Sequence, residues 1–132
     1  METPRAGRKG QEREKVASQV SFSEREAEYL AENILGRLAT ASVEQEPHVV
    51  PVVYRFDGSS IYFSGFDLMK SLKYRNIMMN NKVAFVVDDL ESVRPWKARG
   101  IEIRGYAEPF WAGGNPAVKI VPTRKKSWGL EE

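Results

Sequence analysis

His48–Ser64 reads HVVPVVYRFDGSSIYFS, two runs rich in valine and aromatic residues on either side of Asp57-Gly58-Ser59-Ser60. β-Branched and aromatic side chains suit a pleated, half-buried surface, and an Asp-Gly pair between two such runs is a strong turn signal. The stretch therefore predicts a strand over His48 to Phe56, a turn over Asp57 to Ser60, and a further strand over Ile61 to Ser64. Upstream, Leu38 to Ser42 is also extended in character, and the polar segment Glu44 to Pro47 closes it into a hairpin with the strand at His48.

Working outward, Ser23 and Glu26 form a Ser-x-x-Glu capping box, with Phe22 at the staple position before it. Ala27, Leu30, Ala31 and Ile34 then recur at helical spacing, which predicts a helix packed on a sheet by that stripe and ending at Gly36. After the meander a basic helix is expected from about Leu68 to Asn80. Lys82 to Asp88 is nearly continuous in apolar residues and suits a strand buried on both faces. Alternation resumes at Ile101 and Ile103 in a long strand from Lys97 to Phe110. Gly113-Gly114-Asn115-Pro116 is a turn, and a last strand, Ala117 to Val121, runs on through Pro122 towards Leu130. Six strands with two short helices predict a mainly β chain closed into an antiparallel barrel, because closure removes the exposed edges of such a sheet. A barrel this small fills its interior with side chains, so a ligand has to lie in an outer groove, best placed between two subunits.

The 132 residues fit one domain, residues 21–132, preceded by a polar leader over residues 1–20 that is expected to be disordered. Without cysteine there is no disulfide framework and no thiol nucleophile, and no apolar run is long enough for a membrane span, so a cytoplasmic protein with no membrane partner is expected. The leader carries five basic residues against three glutamates, which accounts for the whole net charge of +2. A near-neutral remainder argues against nucleic acid as a partner. His48 is the single histidine and reads as a strand-start residue. Asp88, Asp89 and Glu91 lack companion ligands, so no metal site is expected. Sequence signatures of hydrolases and nucleotide triphosphatases are absent.

Ser64–Asn76, SGFDLMKSLKYRN, is the segment that points to chemistry. A strand that leads into a cationic helix start offers free backbone N–H groups, the positive end of the helix dipole, and Lys70, Lys73 and Arg75 to a phosphorylated cofactor. The competing interpretation of these cations is a solvated helix face. Trp96 stands in a polar loop beside Arg94, Lys97 and Arg99, a setting that suits an anionic conjugated ligand, whereas Trp111 and Trp128 read as core or interface residues.

Several segments in order carry a resemblance: Leu38-Ala39-Thr40-Ala41, Pro47 to Val52, Ile61 to Ser64, Lys73-Tyr74-Arg75-Asn76, Val83 to Asp89 and Gly105-Tyr106-Ala107-Glu108. Together they resemble the split-barrel flavin and deazaflavin family related to pyridoxamine 5'-phosphate oxidase, over about residues 22–130. Lys73 to Asn76, with Val87 to Leu90, Arg94-Pro95-Trp96 and Gly100 to Gly105, looks closest to the branch that uses coenzyme F420. The resemblance implies a homodimer with cofactor sites at the interface. It also implies a ring along Pro51, Val52 and Val53, a phosphate contacted by Lys70, Ser71, Leu72 and Lys73, Ser64 among the cofactor-binding residues, and Trp96 bordering the ring from the partner.

What the resemblance implies in function is an oxidoreductase passing hydride between F420 and an unsaturated or quinone-like small molecule. The alternatives are an FMN-binding flavoprotein of the same fold and a non-enzymatic flavin-binding protein. Asp67 and Met69 depart from the small or basic residues relatives carry at the helix start, and the arginine and histidine ligands of pyridoxamine phosphate oxidases proper have no counterpart here. In this interpretation Arg94, Lys97 and Arg99 receive the acidic tail of F420, which FMN lacks, and Tyr54 is a candidate proton donor.

Overall fold

The computed structural model describes residues 20–131. The expectation for the leader thus lies almost wholly outside the described residues. Helix α1 (Glu24–Glu32) is followed by β1 (Leu35–Ala41), β2 (Pro47–Phe56), β3 (Ile61–Phe63), a 3-10 turn (Leu68–Lys70), α2 (Leu72–Met79), β4 (Lys82–Ser92), β5 (Lys97–Ala112) and β6 (Asn115–Trp128). The strands close into one antiparallel barrel, as expected, and their order around it is β1-β2-β3-β6-β5-β4.

Alternation sets what faces inward. Leu38, Val52, Tyr54, Ile61, Phe63, Phe85, Val87, Ile101, Ile103, Val118 and Ile120 are buried and fill the barrel. Each such side chain contributes roughly 1.5–3 kcal/mol relative to exposure. β4 differs from expectation: Val83, Phe85 and Val87 point in, but Ala84 and Val86 face outward and are only half-buried. Its apolar run reflects a covered inner face and a mildly apolar outer one. β6 accommodates Pro122, which has no N–H, at a register irregularity opposite Gly105. A side chain at Gly105 would collide with the Val121 carbonyl at 2.1 Å.

α1 and α2 cover opposite ends of the barrel, because β1 leaves α1 at Leu35 and reaches α2 at Thr40, where Asn76 Nδ2 donates to Thr40 Oγ1 at 3.0 Å. The capping box at Ser23 and Glu26 is present with both reciprocal hydrogen bonds. The helix nevertheless ends at Asn33, whose side chain donates to the Tyr29 carbonyl at 2.8 Å. Gly36 lies within β1, not at a helix terminus, because the Phe85 ring packs where its Cβ would be: the ring Cζ is 2.2 Å from that position. The packed face of α1 is Glu26, Tyr29 and Leu30, and Ala31 and Ile34 of the expected stripe are exposed. The charged Glu26 can sit there because its carboxylate accepts from the Ser23 N–H at 2.9 Å, from Ser127 Oγ at 2.6 Å and from Lys125 Nζ.

Candidate functional site

β3 stops at Phe63, and the chain leaves the barrel through Ser64, Gly65 and Phe66 before Asp67 turns it in a left-handed conformation (φ 54°). Leu68, 1% exposed, pins the following 3-10 turn to the barrel. Ser71 then ends that turn and caps α2: its Oγ accepts from the Tyr74 N–H at 3.2 Å and donates to the Leu68 carbonyl at 2.6 Å. The expected helix from Leu68 is therefore two pieces, because the Ser71 hydroxyl serves both. The N–H groups of Leu72 and Lys73 remain as donors of the first helical turn, which no helical carbonyl precedes.

Beside this loop lies a depression of about 690 Å³ lined by Ser64 to Lys70 with Asn115 and Pro116 of the β5–β6 hairpin. A second, of about 300 Å³, is lined among others by Val53, Arg55, Tyr62, Ser64, Phe110, Asn115 and Pro116. Ser64, Asn115 and Pro116 border both, so the two are parts of one groove. It runs along the outside of the barrel from the outer face of β2 to Lys70. Pro51 and Val53 point outward on β2, Val53 being 64% exposed, and supply an apolar ledge. Val52, between them, is 6% exposed and turns its side chain into the core, so it meets a groove ligand by backbone alone.

Of the residues singled out in the sequence, the fold brings Val53, Ser64 and Lys70 to the groove, with Pro51 on the same outer face. Ser71, Leu72 and Lys73 follow directly in the capping position and first turn of α2. Leu72 is exposed and Lys73 half-buried, while the Ser71 hydroxyl is engaged by the backbone. Lys70, Lys73 and Arg75 make no ion pair among the described residues, and Asp67 is the carboxylate on the same loop. Trp96, 68% exposed, stands on the β4–β5 turn, which projects from the barrel end covered by α1, away from the loop that enters α2. A single chain does not bring Trp96 to this groove.

Two other sequence candidates are tied up in the fold. Arg99 binds Asp89 through both ends of its guanidinium, Nε to Oδ1 at 2.8 Å and Nη2 to Oδ2 at 3.1 Å, and Tyr29 donates to the same carboxylate at 2.8 Å. The Arg99 hydrogen bonds hold the Asp89 carboxyl below its ordinary range against the opposing effect of burial, and Arg99 rises in turn. Tyr54 points inward, donates its hydroxyl to the Leu30 carbonyl at 2.7 Å, and is pushed well up by burial. It cannot deliver a proton to the groove. His48 is half-buried opposite Thr40 with a screened Nδ1 that has no partner among the described residues.

The residues missed in the sequence are Arg55, Tyr62 and Phe110. Arg55 and Tyr62 face each other across β2 and β3, with the guanidinium carbon 5.8 Å from the ring centroid. Tyr62 meets Phe110 edge-on at 6.1 Å and donates to Asp57 Oδ2 at 2.8 Å, which raises the tyrosine from its ordinary value. The signal was available for Arg55: it is two residues beyond Val53, on the same face of a period-two strand. An apolar ledge on the same groove as lysines without an ion pair among the described residues, with the helix-start N–H groups of Leu72 and Lys73 beyond, fits a planar cofactor with a phosphate. No group of three His, Cys, Asp or Glu among the described residues is placed to hold a metal ion.

The family description "Pyridoxamine 5'-phosphate oxidase" matches residues 23–115. The chain belongs to this family. A 5a,11a-dehydrotetracycline/5a,11a-dehydrooxytetracycline reductase from Streptomyces rimosus subsp. rimosus is 37% identical over 120 residues, spanning 83% of this chain and 84% of that protein. Among solved structures of the fold, a conserved hypothetical protein from Mycobacterium tuberculosis superposes with a TM-score of 0.69 at 22% identity, covering 86% of this chain and 89% of its own. A structure named F420 Reductase gives 0.61 at 23% identity, covering 75% and 94% respectively. Within the pyridoxamine 5'-phosphate oxidase family, the reductase-named relative makes the chain a split-barrel oxidoreductase. No helix among the described residues is long and apolar enough to cross a membrane.

Proposed function

We propose that this protein is a reductase that takes hydride from reduced coenzyme F420 and adds it to an activated carbon–carbon double bond of a conjugated, carbonyl-bearing small molecule. The observation that carries the reading is the groove that joins Val53, which shares its outer face with Pro51, to Lys70. Its relative's name, a reductase of 5a,11a-dehydrotetracyclines, supports an unsaturated acceptor. Bound there, the deazaflavin supplies the hydride. Lys70, Lys73 and the first-turn N–H groups of α2 hold the phosphate, Pro51 and Val53 carry the ring, and the β5–β6 hairpin screens one side of it from water. No acid or base of the chain needs to enter the transfer, in keeping with the inward-turned Tyr54 and a proton drawn from solvent.

The reading includes a homodimer. Leu35, Val49 and Val53 are 51%, 64% and 64% exposed on the joined outer faces of β1 and β2, and a second copy covering them brings Trp96 of the partner subunit within reach of the ring. One observation favours FMN as the cofactor instead: capture of Arg99 by Asp89 leaves Arg94 and Lys97 alone to meet an acidic F420 tail. Titration of cofactor-stripped protein with F420 and with FMN, followed by tryptophan fluorescence and then by turnover of an enone, separates the two. Arg94→Glu with Lys97→Glu is expected to weaken F420 binding about tenfold and leave FMN unchanged. Equal loss for both removes the tail argument, and binding of neither removes the proposal.

A further inference from the structure

We propose that Arg55 is the electrostatic partner of the substrate's carbonyl oxygen, and that the part of the groove bounded by Arg55, Tyr62 and Phe110 receives the conjugated ring. The inference rests on the reductase reading and adds a substrate subsite to it. The groove carries cations at its two ends: Lys70 where the loop enters α2, and Arg55 beyond the Val53 ledge. Among the described residues Arg55 is the one charged residue lining its end, and that end has the volume of a small-molecule site, about 300 Å³.

The surroundings of Arg55 suit an oxyanion. Asp57, two residues on, accepts from the Ser59 and Ser60 N–H groups and from Tyr62, and Arg55 forms no ion pair among the described residues. Tyr62, fixed by Asp57, holds its ring beside the guanidinium, and Phe110 meets that ring at 79°. A planar molecule against these rings places an oxygen next to a guanidinium that forms no ion pair among the described residues.

The chemistry needs such a charge at one moment. Hydride from the reduced deazaflavin forms a new C–H bond at the carbon β to the carbonyl. The π pair of the C=C bond shifts to join the α-carbon to the carbonyl carbon, and the carbonyl π pair moves onto oxygen, giving an enolate. Arg55 faces that oxygen, and a planar guanidinium suits two parallel hydrogen bonds to it. Protonation of the α-carbon by water restores the carbonyl, so the substrate gains one hydride and one proton while the deazaflavin is oxidised.

The test uses 4-nitrophenol, a planar phenol whose ionised form absorbs at longer wavelength, titrated against full-length protein loaded with oxidised cofactor. Wild type is expected to bind the phenolate about tenfold in preference to the phenol, lowering the apparent pKa of the bound dye by about one unit. Arg55→Met is expected to abolish that shift, Arg55→Lys to retain most of it, and both to bind the cofactor as wild type does. Turnover of an enone should fall about 10²-fold in Arg55→Met. An unchanged dye shift in Arg55→Met, no dye binding to wild type, or a tenfold loss of cofactor affinity in Arg55→Met would each overturn the assignment, the last by giving Arg55 to the cofactor. If wild type binds and orients the dye as expected but no deazaflavin or flavin supports turnover, the reductase reading falls and the anion subsite stands.

Discussion

Replacing Glu26 with glutamine isolates the charge that fastens α1 to the barrel. Glutamine serves the capping box as glutamate does, so the helix start survives. What is lost is the carboxylate that meets Lys125 and Ser127, with side-chain exposures of 9% for Glu26 and 26% for Lys125. Breaking a buried pair costs about 3–5 kcal/mol, but Lys125 keeps a route to water, which reduces the expected cost to about 2 kcal/mol. For a chain of this size that is roughly 6–8 °C in Tm. Burial alone would raise the Glu26 carboxyl, but hydrogen bonds from Lys125, Ser127 and the Ser23 N–H, with the Lys125 charge, outweigh it and hold the group below its ordinary value of 4.5. A carboxyl lowered on folding contributes stability that is present above its unfolded pKa and disappears as pH falls through the folded value. Urea unfolding of both proteins should thus differ by about 2 kcal/mol near neutral pH, with the gap closing below about pH 4. A gap under about 0.5 kcal/mol at neutral pH, within the range of ordinary surface changes, or one that ignores pH, would refute the reasoning.

Two further substitutions probe the barrel itself. Gly36→Ala drives a methyl group into the Phe85 ring, which is 1% exposed and packed edge-on against Tyr54 at 5.1 Å, so chemical denaturation should register a loss of about 1–3 kcal/mol. Leu35→Asp, on the outer face and 51% exposed, is expected to cost the isolated chain under about 0.5 kcal/mol yet to shift sedimentation from dimer to monomer. A dimer that survives this change places the interface elsewhere.

Six strands in a closed antiparallel barrel were open to a reader of the sequence because period-two patterning and turn residues are local signals, whereas the β1–β4 and β3–β6 pairings that close the barrel join distant segments. Three further features were not local. Glu26 lies on the packed face of α1, and its compensation comes from Lys125 and Ser127, about a hundred residues away, so a stripe of apolar residues caught Leu30 but missed Glu26 and Tyr29. Ser71 splits the expected helix through a hydroxyl that bonds both the preceding turn and the following one. Arg99 reads as a free cation beside Trp96 until pairing of β4 with β5 sets it opposite Asp89. For the groove, Ser64 and Lys70 were recognisable from one contiguous stretch and Val53 from the family resemblance, whereas Phe110 and Asn115 arrive from a hairpin some fifty residues later.

β2 is shared by the core and the groove, with Val52 and Tyr54 on one side and Pro51, Val53 and Arg55 on the other. Inserting or deleting one residue in it would exchange the two sets at a stroke, exposing a tyrosine and burying an arginine. Variation in this protein's chemistry therefore has to proceed along β2 by substitution at every second position. Near the groove, changes of length fall instead to the Gly113-Gly114 hairpin tip and the loop after β3, where the chain has already left the barrel.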